Sequence, residues 1–469
     1  MRIALINPPI RINEPPRHPP YGLALLGSLA DLEGYEVLIL DCQAFRLHHE
    51  VVRAELRGEA PLDVIGVGGF IPSYRYVKFL LPFLRKDHPD ALLVSGGGAV
   101  TSLQEDMMRW VPEIDVGVVG EGERTFMELL EHTGDRDFSG VKGVLYREDG
   151  EIVRTPPRPL MTEEELNELP YPKFDLLPLE EVYWKFSGVA FSPEALTSKR
   201  RLPLLSSRGC PFVCKFCLEL MTGESRTNYS FEQGPKIRFH SADYVVDMIK
   251  WMRLRYATDF VNFLDECFTA DKERATEICH RLEDEGLSDV VKWGCTAHPS
   301  HVDPELLKTL RDGGCTYLDL GFESADDRIL KEVRKGTTVE RNRQVLRWCL
   351  EARVQPITNF IYGFPGTDIQ SVYNDARFWR DNGILVRPFW LGVYPKTSYW
   401  EEYKERILEQ FDGDYEKFVE ACEKDTDSIL CNITSLDTPT LIGLREMAIT
   451  HDLKGIKKLA ELKGVKLDE

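Results

Sequence analysis

The amino-acid sequence has little of what membrane, secreted or nucleic-acid-binding proteins need. Its 469 residues include no hydrophobic run approaching the ~18 residues of a membrane span, and the chain begins with a strand-like segment at 2–7 rather than a signal peptide. Positive charge is scarce, because 58 Lys and Arg stand against 77 Asp and Glu and give a net charge of -19. Such a chain repels a phosphate backbone. We therefore expect a soluble cytoplasmic protein with no membrane span and no nucleic-acid partner.

A regular disulfide framework is also lacking, since most of the 11 cysteines are scattered along the chain. Cys210, Cys214 and Cys217 are the exception, because they lie within eight residues directly after a predicted strand at 202–206. In a reducing compartment this spacing indicates a metal site. A structural zinc site needs four ligands, and the nearest downstream histidine, His240, lies outside such spacing. Three thiolates fit a four-iron cluster with one open iron, and the remaining cysteines are predicted to be small buried hydrophobes.

Alternating apolar runs and amphipathic stretches fill residues 1–137, and this pattern is typical of a parallel sheet covered by helices. Strands are predicted at 2–7, 36–41, 63–68, 91–95 and 116–119. Helices are predicted at 21–33, 48–57, 74–86, 102–109 and 125–132. The sequence therefore predicts an α/β, Rossmann-like first domain.

Residues 138–198 are predicted to be a linker. Within it, a hairpin is expected to turn at Asp149-Gly150, and Thr162 with Glu165 forms a capping box at the start of a short helix. The prolines that follow favour irregular structure up to the second domain.

A second alternation of strands and helices occupies residues 199–395. Its strands are predicted at 202–206, 259–264, 291–296, 317–321, 356–361 and 389–393. Its helices are predicted at 241–256, 271–285, 304–313, 339–352 and 369–381. Six such units suit a partial or complete α/β barrel, whose chemistry lies at the C-terminal ends of its strands. A charged, helical C-terminal region is predicted at 396–469.

The three-cysteine loop resembles a known family signature. Its C-x3-C-x2-C spacing, with the aromatic Phe216 before the last cysteine, is similar to that of the radical S-adenosylmethionine (SAM) enzymes. The resemblance implies that Cys210, Cys214 and Cys217 hold a 4Fe-4S cluster and that SAM binds its open iron. One electron from a flavodoxin- or ferredoxin-type donor would then cleave SAM to methionine and a 5′-deoxyadenosyl radical.

Further strand ends resemble the SAM-contacting segments of the same family. Asp265 and Glu266 follow the second barrel strand, where the family receives the SAM amino group, although a polar strand end facing solvent is the alternative. A Lys-Gly-Thr-Thr segment at 335–338 follows Glu323 in the family's usual order. Arginine-rich sequence often follows the third strand in the family, but this chain has Thr296-Ala297-His298. The SAM contacts that the resemblance implies are Phe216, Asp265, Glu266, Glu323, Ser324, Gly363 and Phe364.

The first domain has small residues after its predicted strands, which lets a large ligand approach the backbone. No Gly-x-Gly-x-x-Gly follows the first strand, so a nicotinamide dinucleotide is disfavoured. The domain resembles the cobalamin-binding domain that precedes many radical SAM barrels. It lacks the Asp-x-His-x-x-Gly motif by which other cobalamin domains place a histidine below cobalt. The loop 70–76 or His18 is then expected below cobalt. The implied cobalamin contacts are Gly68, Gly69, Ile71, Ser73, Tyr74, Gly96, Gly97, Gly98, Gly120, Glu121, Gly122 and Glu123.

Together the two resemblances imply a cobalamin-dependent radical SAM methyltransferase of class B that methylates an unactivated carbon. One SAM would methylate cobalamin, and a second would give the radical that removes hydrogen from the substrate. The substrate is expected to be a small molecule or a protein side chain, and one methanogen family member of this size methylates a glutamine of methyl-coenzyme M reductase.

Three other functions remain open at this point. The first is a cobalamin-binding radical SAM cyclase or rearrangement enzyme, which uses the same cofactors without methyl transfer. The second is a methylthiotransferase acting on tRNA, although Cys42 alone in the first 200 residues leaves no ligands for its additional cluster. The third is a non-enzymatic cobalamin or redox sensor, which would not need an open iron.

Overall fold

The structure is a computed structural model, and it divides the chain into two compact units. It describes residues 1–10, 16–59, 61–185, 191–218, 237–424 and 428–468. Unit 1 comprises Met1–Gly209, Leu218–Leu264 and Tyr415–Glu423, and unit 2 comprises Cys210–Cys217, Asp265–Asp414 and Lys424–Glu469. Among the described residues, no helix is both long enough and apolar enough to cross a membrane.

Unit 1 contains a seven-stranded sheet in the order β2-β1-β3-β4-β5-β6-β7. The strands are β1 (Arg2–Asn7), β2 (Glu36–Asp41), β3 (Val64–Val67), β4 (Leu92–Ser95), β5 (Val116–Val118), β6 (Val144–Glu148) and β7 (Glu151–Arg154). The first five strands are parallel, as predicted, so their C-terminal ends share one edge. The central strands β3 and β4 are buried on both faces, because helices cover the sheet.

The predicted hairpin is present and turns at Asp149-Gly150. Both residues have positive φ, 49° and 84°, as a tight turn between right-twisted strands requires. The hairpin does more than connect domains, since β6 pairs antiparallel with β5 and extends the first sheet. The predicted capping box of Thr162 and Glu165 is confirmed.

Helices and short helical turns of unit 1 follow the predicted pattern with one exception. They span Tyr21–Leu32, Cys42–Phe45, His49–Gly58, Ile71–Ser73, Tyr74–Asp87, Gly98–Leu103, Glu105–Trp110, Glu123–Glu131, Glu163–Asn167, Phe174–Leu176, Leu179–Tyr183, Pro193–Thr197, Ala242–Tyr256 and Tyr415–Ala421. The single helix predicted at 102–109 is wrong. Gln104, with φ of 54°, breaks it into two helices.

A helix from far along the chain completes unit 1. In Tyr415–Ala421, the Glu416 carboxylate accepts hydrogen bonds from the Tyr74 hydroxyl and the Lys78 ammonium, both at 2.5 Å. The ring of Tyr415 packs edge-on against Trp110, with centroids 5.2 Å apart. These contacts secure the start of the helix Tyr74–Asp87, which follows β3.

Two short strand pairs also belong to unit 1. β8 (Arg201–Leu204) and β11 (Phe260–Phe263) pair in parallel, as expected for the first two barrel strands. β9 (Ser207–Arg208) and β10 (Arg238–Phe239) form an antiparallel pair that the sequence did not predict.

In its described residues, unit 2 contains four parallel strands with helices between them, which confirms the predicted α/β alternation. The strands are β12 (Lys292–Ala297), β13 (Cys315–Glu323), β14 (Gln355–Tyr362) and β15 (Phe389–Trp390). Helices and turns span Phe268–Ala270, Lys272–Asp284, Leu287–Val290, Pro299–His301, Pro304–Asp312, Asp327–Glu332, Val339–Ala352, Ile369–Asn382, Ser398–Glu409, Thr438–Ile449 and Leu453–Leu462.

Strand β13 shows how period-two alternation positions the site. Phe322 is fully buried and packs its ring against Phe360 and Phe378, the latter on the helix Ile369–Asn382. Asp319 and Glu323 fall on the opposite face of the strand, because successive side chains alternate. Two carboxylates therefore lie on one face of β13.

A buried carboxyl group makes the stability of unit 2 sensitive to pH. Asp375, on the helix Ile369–Asn382, accepts hydrogen bonds from the Ser324 hydroxyl at 3.0 Å and from the Ala325 N–H. Burial raises the pKa of Asp375 from 3.8 to about 8, against the lowering effect of these hydrogen bonds. The folded chain therefore holds a proton that the unfolded chain releases near pH 4, so this group's contribution to stability is lost as pH rises from about 4 to about 8.

We expect Asp375→Asn to remove this dependence, because an amide oxygen accepts the same hydrogen bonds without ionising. The stability of the variant relative to wild type should increase between pH 5 and pH 8. Denaturant unfolding at both pH values measures it, with Asp381→Asn, an exposed position on the same helix, as control. An unchanged difference between the two pH values would contradict the assignment.

Candidate functional site

The three cysteines of the predicted metal site lie together in one loop of unit 2. Cys210, Cys214 and Cys217 are free thiols; Cys214 is buried, and the other two are partly exposed. Burial raises the pKa of Cys210 to about 12 and that of Cys214 to about 11. Burial has the same effect on the pKa of Cys349 and Cys431, so the position of three thiols in one loop, rather than their pKa, is what suits a metal group.

The same cysteines do not converge on a single point. Within the described residues, no group of three or more His, Cys, Asp or Glu side chains is arranged to hold one metal ion. A four-iron cluster is wider than one ion, so its ligands need not converge. Three soft sulfur donors in one loop fit such a cluster.

Two contacts anchor this cysteine loop (Cys210–Cys217). The Phe212 ring stacks on His298, with centroids 3.5 Å apart and planes 18° from parallel. The His298 Nε2 donates to the Lys335 carbonyl at 2.7 Å, and the Lys215 N–H donates to the Val333 carbonyl at 3.1 Å. Burial and the nearby Lys335 charge lower the pKa of His298 to about 3, so the imidazole is neutral. The residue that departs from the family's arginine-rich pattern is thus a support of the loop.

Glu323 ends β13 with φ of 61° and forms a buried ion pair. The Lys335 ammonium lies 2.8 Å from its Oε1. Gly321 lies beside the pair, and a Cβ there would be only 2.6 Å from the Lys335 Nζ. Deeper on the same strand face, burial raises the pKa of Asp319 to about 6, and Asn359 donates a hydrogen bond to its carboxylate.

The remaining predicted SAM contacts also lie in unit 2. The rings of Phe216 and Phe364 are in contact, with centroids 5.2 Å apart, and Gly363 adopts φ of 100°, which favours glycine. Ser324 is occupied by its hydrogen bond to Asp375. Asp265 is buried and Glu266 is partly exposed directly after β11.

In unit 1, the glycines after β3 and β4 pack against each other. Gly69 and Gly97 have φ of 145° and 81°, and a Cβ on Gly97 would lie 2.9 Å from the Gly69 carbonyl oxygen. The Ala99 N–H donates to the same oxygen at 3.0 Å, and a Cβ on Gly98 would lie 2.9 Å from the Phe70 ring. Gly68 and Gly96 have only side-chain neighbours at 3.6 Å or more, and Gly122 has nothing within 4 Å.

The loop after β3 buries three of the predicted cobalamin contacts. Ile71, Ser73 and Tyr74 are at most 2% exposed, and the Tyr74 hydroxyl is bound to Glu416. Phe70 is 51% exposed. Phe70, the first residue of the loop expected below cobalt, therefore offers an exposed aromatic ring at this strand end, whereas the three predicted contacts do not.

The loop after β5 places its carboxylates in ion pairs. Glu121 lies 3.0 Å from Arg208 and 2.9 Å from Arg238, and Glu123 lies 2.6 Å from Arg208. Burial alone would raise the pKa of Glu121, but the hydrogen bond from Arg238 and the charges of both arginines lower it to about 2. The carboxylates of this loop are occupied within unit 1, and Gly120 and Gly122 remain as the small residues.

Comparison with known proteins agrees with this arrangement. The model of the Radical SAM superfamily matches residues 204–378, and the model of the B12 binding domain matches residues 9–130. An uncharacterized methyltransferase of Pyrococcus horikoshii is 31% identical over 408 residues, covering 86% of this chain and 83% of that protein. The chain belongs to the cobalamin-dependent radical SAM methyltransferases.

This methyltransferase is also similar to a curated enzyme and to a solved structure. The anaerobic magnesium-protoporphyrin IX monomethyl ester cyclase of Cereibacter sphaeroides is 27% identical over 414 residues, which cover 86% of this chain and 63% of that protein. The solved structure of the radical S-adenosylmethionine methyltransferase TsrM from Kitasatospora setae has a TM-score of 0.68 at 18% identity, and the match covers 87% of this chain and 76% of that one. The likeness to TsrM shows a shared fold.

These similarities confirm the predicted fold class, enzyme class and cofactors of the methyltransferase: a 4Fe-4S cluster, SAM and cobalamin. The assignment of individual residues to these cofactors stays a prediction. Sequence reasoning placed Phe70 only within the loop 70–76 expected below cobalt, and it gave no role to Lys335 or Arg208. The available signals were that Lys335 lies in the Lys-Gly-Thr-Thr segment and that Arg208 lies two residues before Cys210.

We expect Glu121→Gln to destabilise the methyltransferase by about 3 kcal/mol, because it removes the buried charge that both arginines face. The folded pKa of Glu121 is depressed, so its contribution is present above pH 4.5 and lost as pH falls toward about 2. Denaturant unfolding at pH 7 and pH 3.5 measures the effect, which should shrink at the lower pH. Glu131→Gln, at an exposed position nearby, is the control, and equal effects of the two variants would contradict the prediction.

Proposed function

We propose that this enzyme transfers a methyl group to an unactivated carbon atom of its substrate. The observation that carries the proposal is the presence, in one chain, of the supported three-cysteine loop and a B12-binding domain with a glycine-lined strand edge. When bound, the cluster and cobalamin would supply reductive cleavage of SAM and carriage of the methyl group. The residues of the chain bind and orient these groups and their substrate.

Cys210, Cys214 and Cys217 are proposed to hold the cluster. Phe212 and Lys215 within the loop are fixed by contacts to the rest of unit 2, so the ligands are positioned before the cluster binds. Preorganisation of this kind keeps a metal group in one orientation.

The proposed SAM contacts fall into a polar and an apolar set. Asp265 and Glu266 suit the SAM ammonium, because carboxylates attract a cation at a strand end. Glu323 is a further acidic contact, whose charge is shared with Lys335. Phe216 and Phe364, together with the open backbone at Gly363, suit a planar ring such as adenine.

Cobalamin is proposed to bind at the strand edge of residues 1–137. Gly68, Gly96 and Gly122 leave space for close approach of the ligand, and the exposed ring of Phe70 offers an apolar surface for one corrin face. Covering an aromatic side chain that is half exposed in the free protein stabilises the complex, because apolar surface is removed from water. Residues 138–198, 199–395 and 396–469 are then proposed as linker, radical SAM barrel and helical region.

The substrate is proposed to be a small molecule or a protein side chain. TsrM was solved with its tryptophan substrate, which is a small molecule. We also propose that a flavodoxin- or ferredoxin-type protein donates the electron and that the enzyme acts in the cytoplasm.

A cyclase without methyl transfer is the second candidate, because the magnesium-protoporphyrin cyclase is 27% identical over 86% of this chain. Both candidates release 5′-deoxyadenosine from SAM, but only methylation also gives S-adenosylhomocysteine. We expect equal amounts of the two products when the enzyme is reconstituted anaerobically with iron, sulfide, cobalamin, reductant, SAM and substrate. Liquid chromatography quantifies both, and deoxyadenosine without S-adenosylhomocysteine would overturn the methylation proposal in favour of the cyclase.

The same assay, together with the iron content, distinguishes the loss of a cluster ligand from a general effect on folding. Cys214→Ala should lose iron and reductive SAM cleavage, because one of three cluster ligands is missing. Cys349→Ala removes an equally buried thiol on the helix Val339–Ala352 and should retain both. Reductive cleavage by Cys214→Ala at the wild-type rate would defeat the assignment of the cluster ligands.

We expect Phe70→Ala to weaken cobalamin binding about tenfold, or ~1.4 kcal/mol, because the corrin loses an apolar contact surface. The measurement is titration of the purified protein with hydroxocobalamin, followed by its absorption spectrum. Phe79→Ala removes a phenylalanine that is 50% exposed on the helix Tyr74–Asp87 and should bind as wild type. If both variants bind with wild-type affinity, Phe70 is not part of the cobalamin site.

A further inference from the structure

A helix of the C-terminal region contacts the cysteine loop between two of its proposed cluster ligands. Lys215 is the residue that follows Cys214, and the helix Ser398–Glu409 contacts both its backbone and its side chain. We propose that Lys215 is a positioning residue through which this helix slows the release of the cluster. The inference rests on the proposed binding of the cluster by the three cysteines, and it concerns how long the cluster is retained rather than whether it binds.

The backbone of Lys215 is held on both sides. Its N–H donates to the Val333 carbonyl at 3.1 Å, and its carbonyl accepts from the Tyr399 N–H at 3.2 Å. Tyr399 lies in the first turn of its helix, where an N–H group has no partner within the helix, so the loop supplies one. Lys215 is also the second residue of a turn that the Cys217 N–H closes by donating to the Cys214 carbonyl at 3.2 Å. A displacement of that turn, which carries two proposed ligands, therefore breaks the hydrogen bonds of Lys215.

The Lys215 ammonium joins two helices. It lies 2.9 Å from the Glu332 carboxylate, at the end of the helix Asp327–Glu332, and 3.2 Å from the Glu402 carboxylate. It also lies 5.6 Å from the centre of the Tyr399 ring, within the range of a cation–π contact. The lysine side chain is only 12% exposed, whereas the two glutamate side chains are 39% and 41% exposed. Water therefore reaches these ion pairs from the carboxylate side, and their contribution is modest and sensitive to salt.

An apolar contact links the same helix to the next residue of the turn. The Phe216 ring packs on Phe364, with centroids 5.2 Å apart, and the Phe364 ring in turn lies 6.4 Å from that of Tyr399. Tyr399 is fully buried. One residue of the helix therefore contacts the Lys215 backbone and ammonium directly, and Phe216 through a third ring.

Retention of the cluster depends on this turn, because iron in a protein-bound cluster is released once thiolate ligands dissociate from it. Moving Cys214 and Cys217 away from the cluster displaces Lys215, which lies between them in the chain. Local opening costs the free energy of the contacts that it breaks. The ion pairs and backbone hydrogen bonds of Lys215 are therefore expected to slow the release of iron.

The test compares the rates at which a chelator removes iron from the reconstituted cluster. Wild type, Lys215→Met, Glu402→Gln and the double variant are loaded anaerobically and mixed with a ferrous-iron chelator at low ionic strength, and the absorbance of the iron complex is recorded. We expect release about fivefold faster from Lys215→Met and about twofold faster from Glu402→Gln, since Glu332 still pairs with the lysine in the second variant. The double variant should match Lys215→Met, because Glu402 acts through the lysine. Glu405→Gln, at an exposed position on the same helix, should release iron as wild type. A double variant in which the two single effects multiply would overturn the inference.

Salt and a conservative variant distinguish the ion pairs from simple packing of the side chain. Raising the salt concentration to about 1 M should speed release from wild type and leave Lys215→Met almost unchanged, because salt screens exposed ion pairs. Lys215→Arg should release iron nearly as slowly as wild type, since a guanidinium can also bind two carboxylates. Equal responses to salt in wild type and Lys215→Met would contradict the role of the ion pairs and overturn the inference.

The outcome also separates this inference from the proposed function. If wild type takes up no iron on reconstitution, the proposed function fails, and the inference fails with it. If wild type binds iron but releases it as fast as Lys215→Met, only the inference fails. If Lys215→Met takes up no iron, faster release from Glu402→Gln supports the inference, and release at the wild-type rate overturns it.

Discussion

Stacking of Phe212 on His298, together with the hydrogen bond from Lys215 to Val333, fixes the cysteine loop to the body of unit 2. The candidate site depends on these contacts, because the loop itself contains no regular secondary structure to fix its shape. His298 is a neutral imidazole, since its Nε2 donates to the Lys335 carbonyl while its Nδ1 accepts from the Ser300 N–H. Burial enforces that state by holding its pKa near 3.

In unit 1, the loops at the strand edge are fixed by close contacts between glycines and by a helix that is distant in sequence. The loops after β3 and β4 approach so closely that Gly97 has no space for a side chain beside Gly69. The next turn of chain is fixed by Glu416, which binds Tyr74 and Lys78 at once. These contacts fix the loops at the strand edge before a ligand binds. Less conformational entropy is then lost on binding.

Much of this arrangement could be predicted from the sequence. β1 and β2 have the predicted bounds, because their apolar runs are bordered by clear turn residues, and the three cysteines identified the loop by spacing alone. The break at Gln104 could not be predicted, since glutamine favours helices and rarely adopts positive φ. The hydrogen bond from Tyr74 to Glu416 could not be predicted either, because a partner 342 residues away leaves no local pattern.

Charge was where sequence reasoning was least informative. A net charge of -19 suggested an acidic protein, and the acidic residues of its strand-end loops suggested ligand contacts. The structure pairs Glu121 with Arg208 and Arg238, and Glu323 with Lys335. Burial explains this difference, because an isolated carboxylate in a poorly solvated position costs far more than one on the surface. Charge in the candidate sites is therefore set locally by ion pairs, which the total charge of the chain cannot reveal.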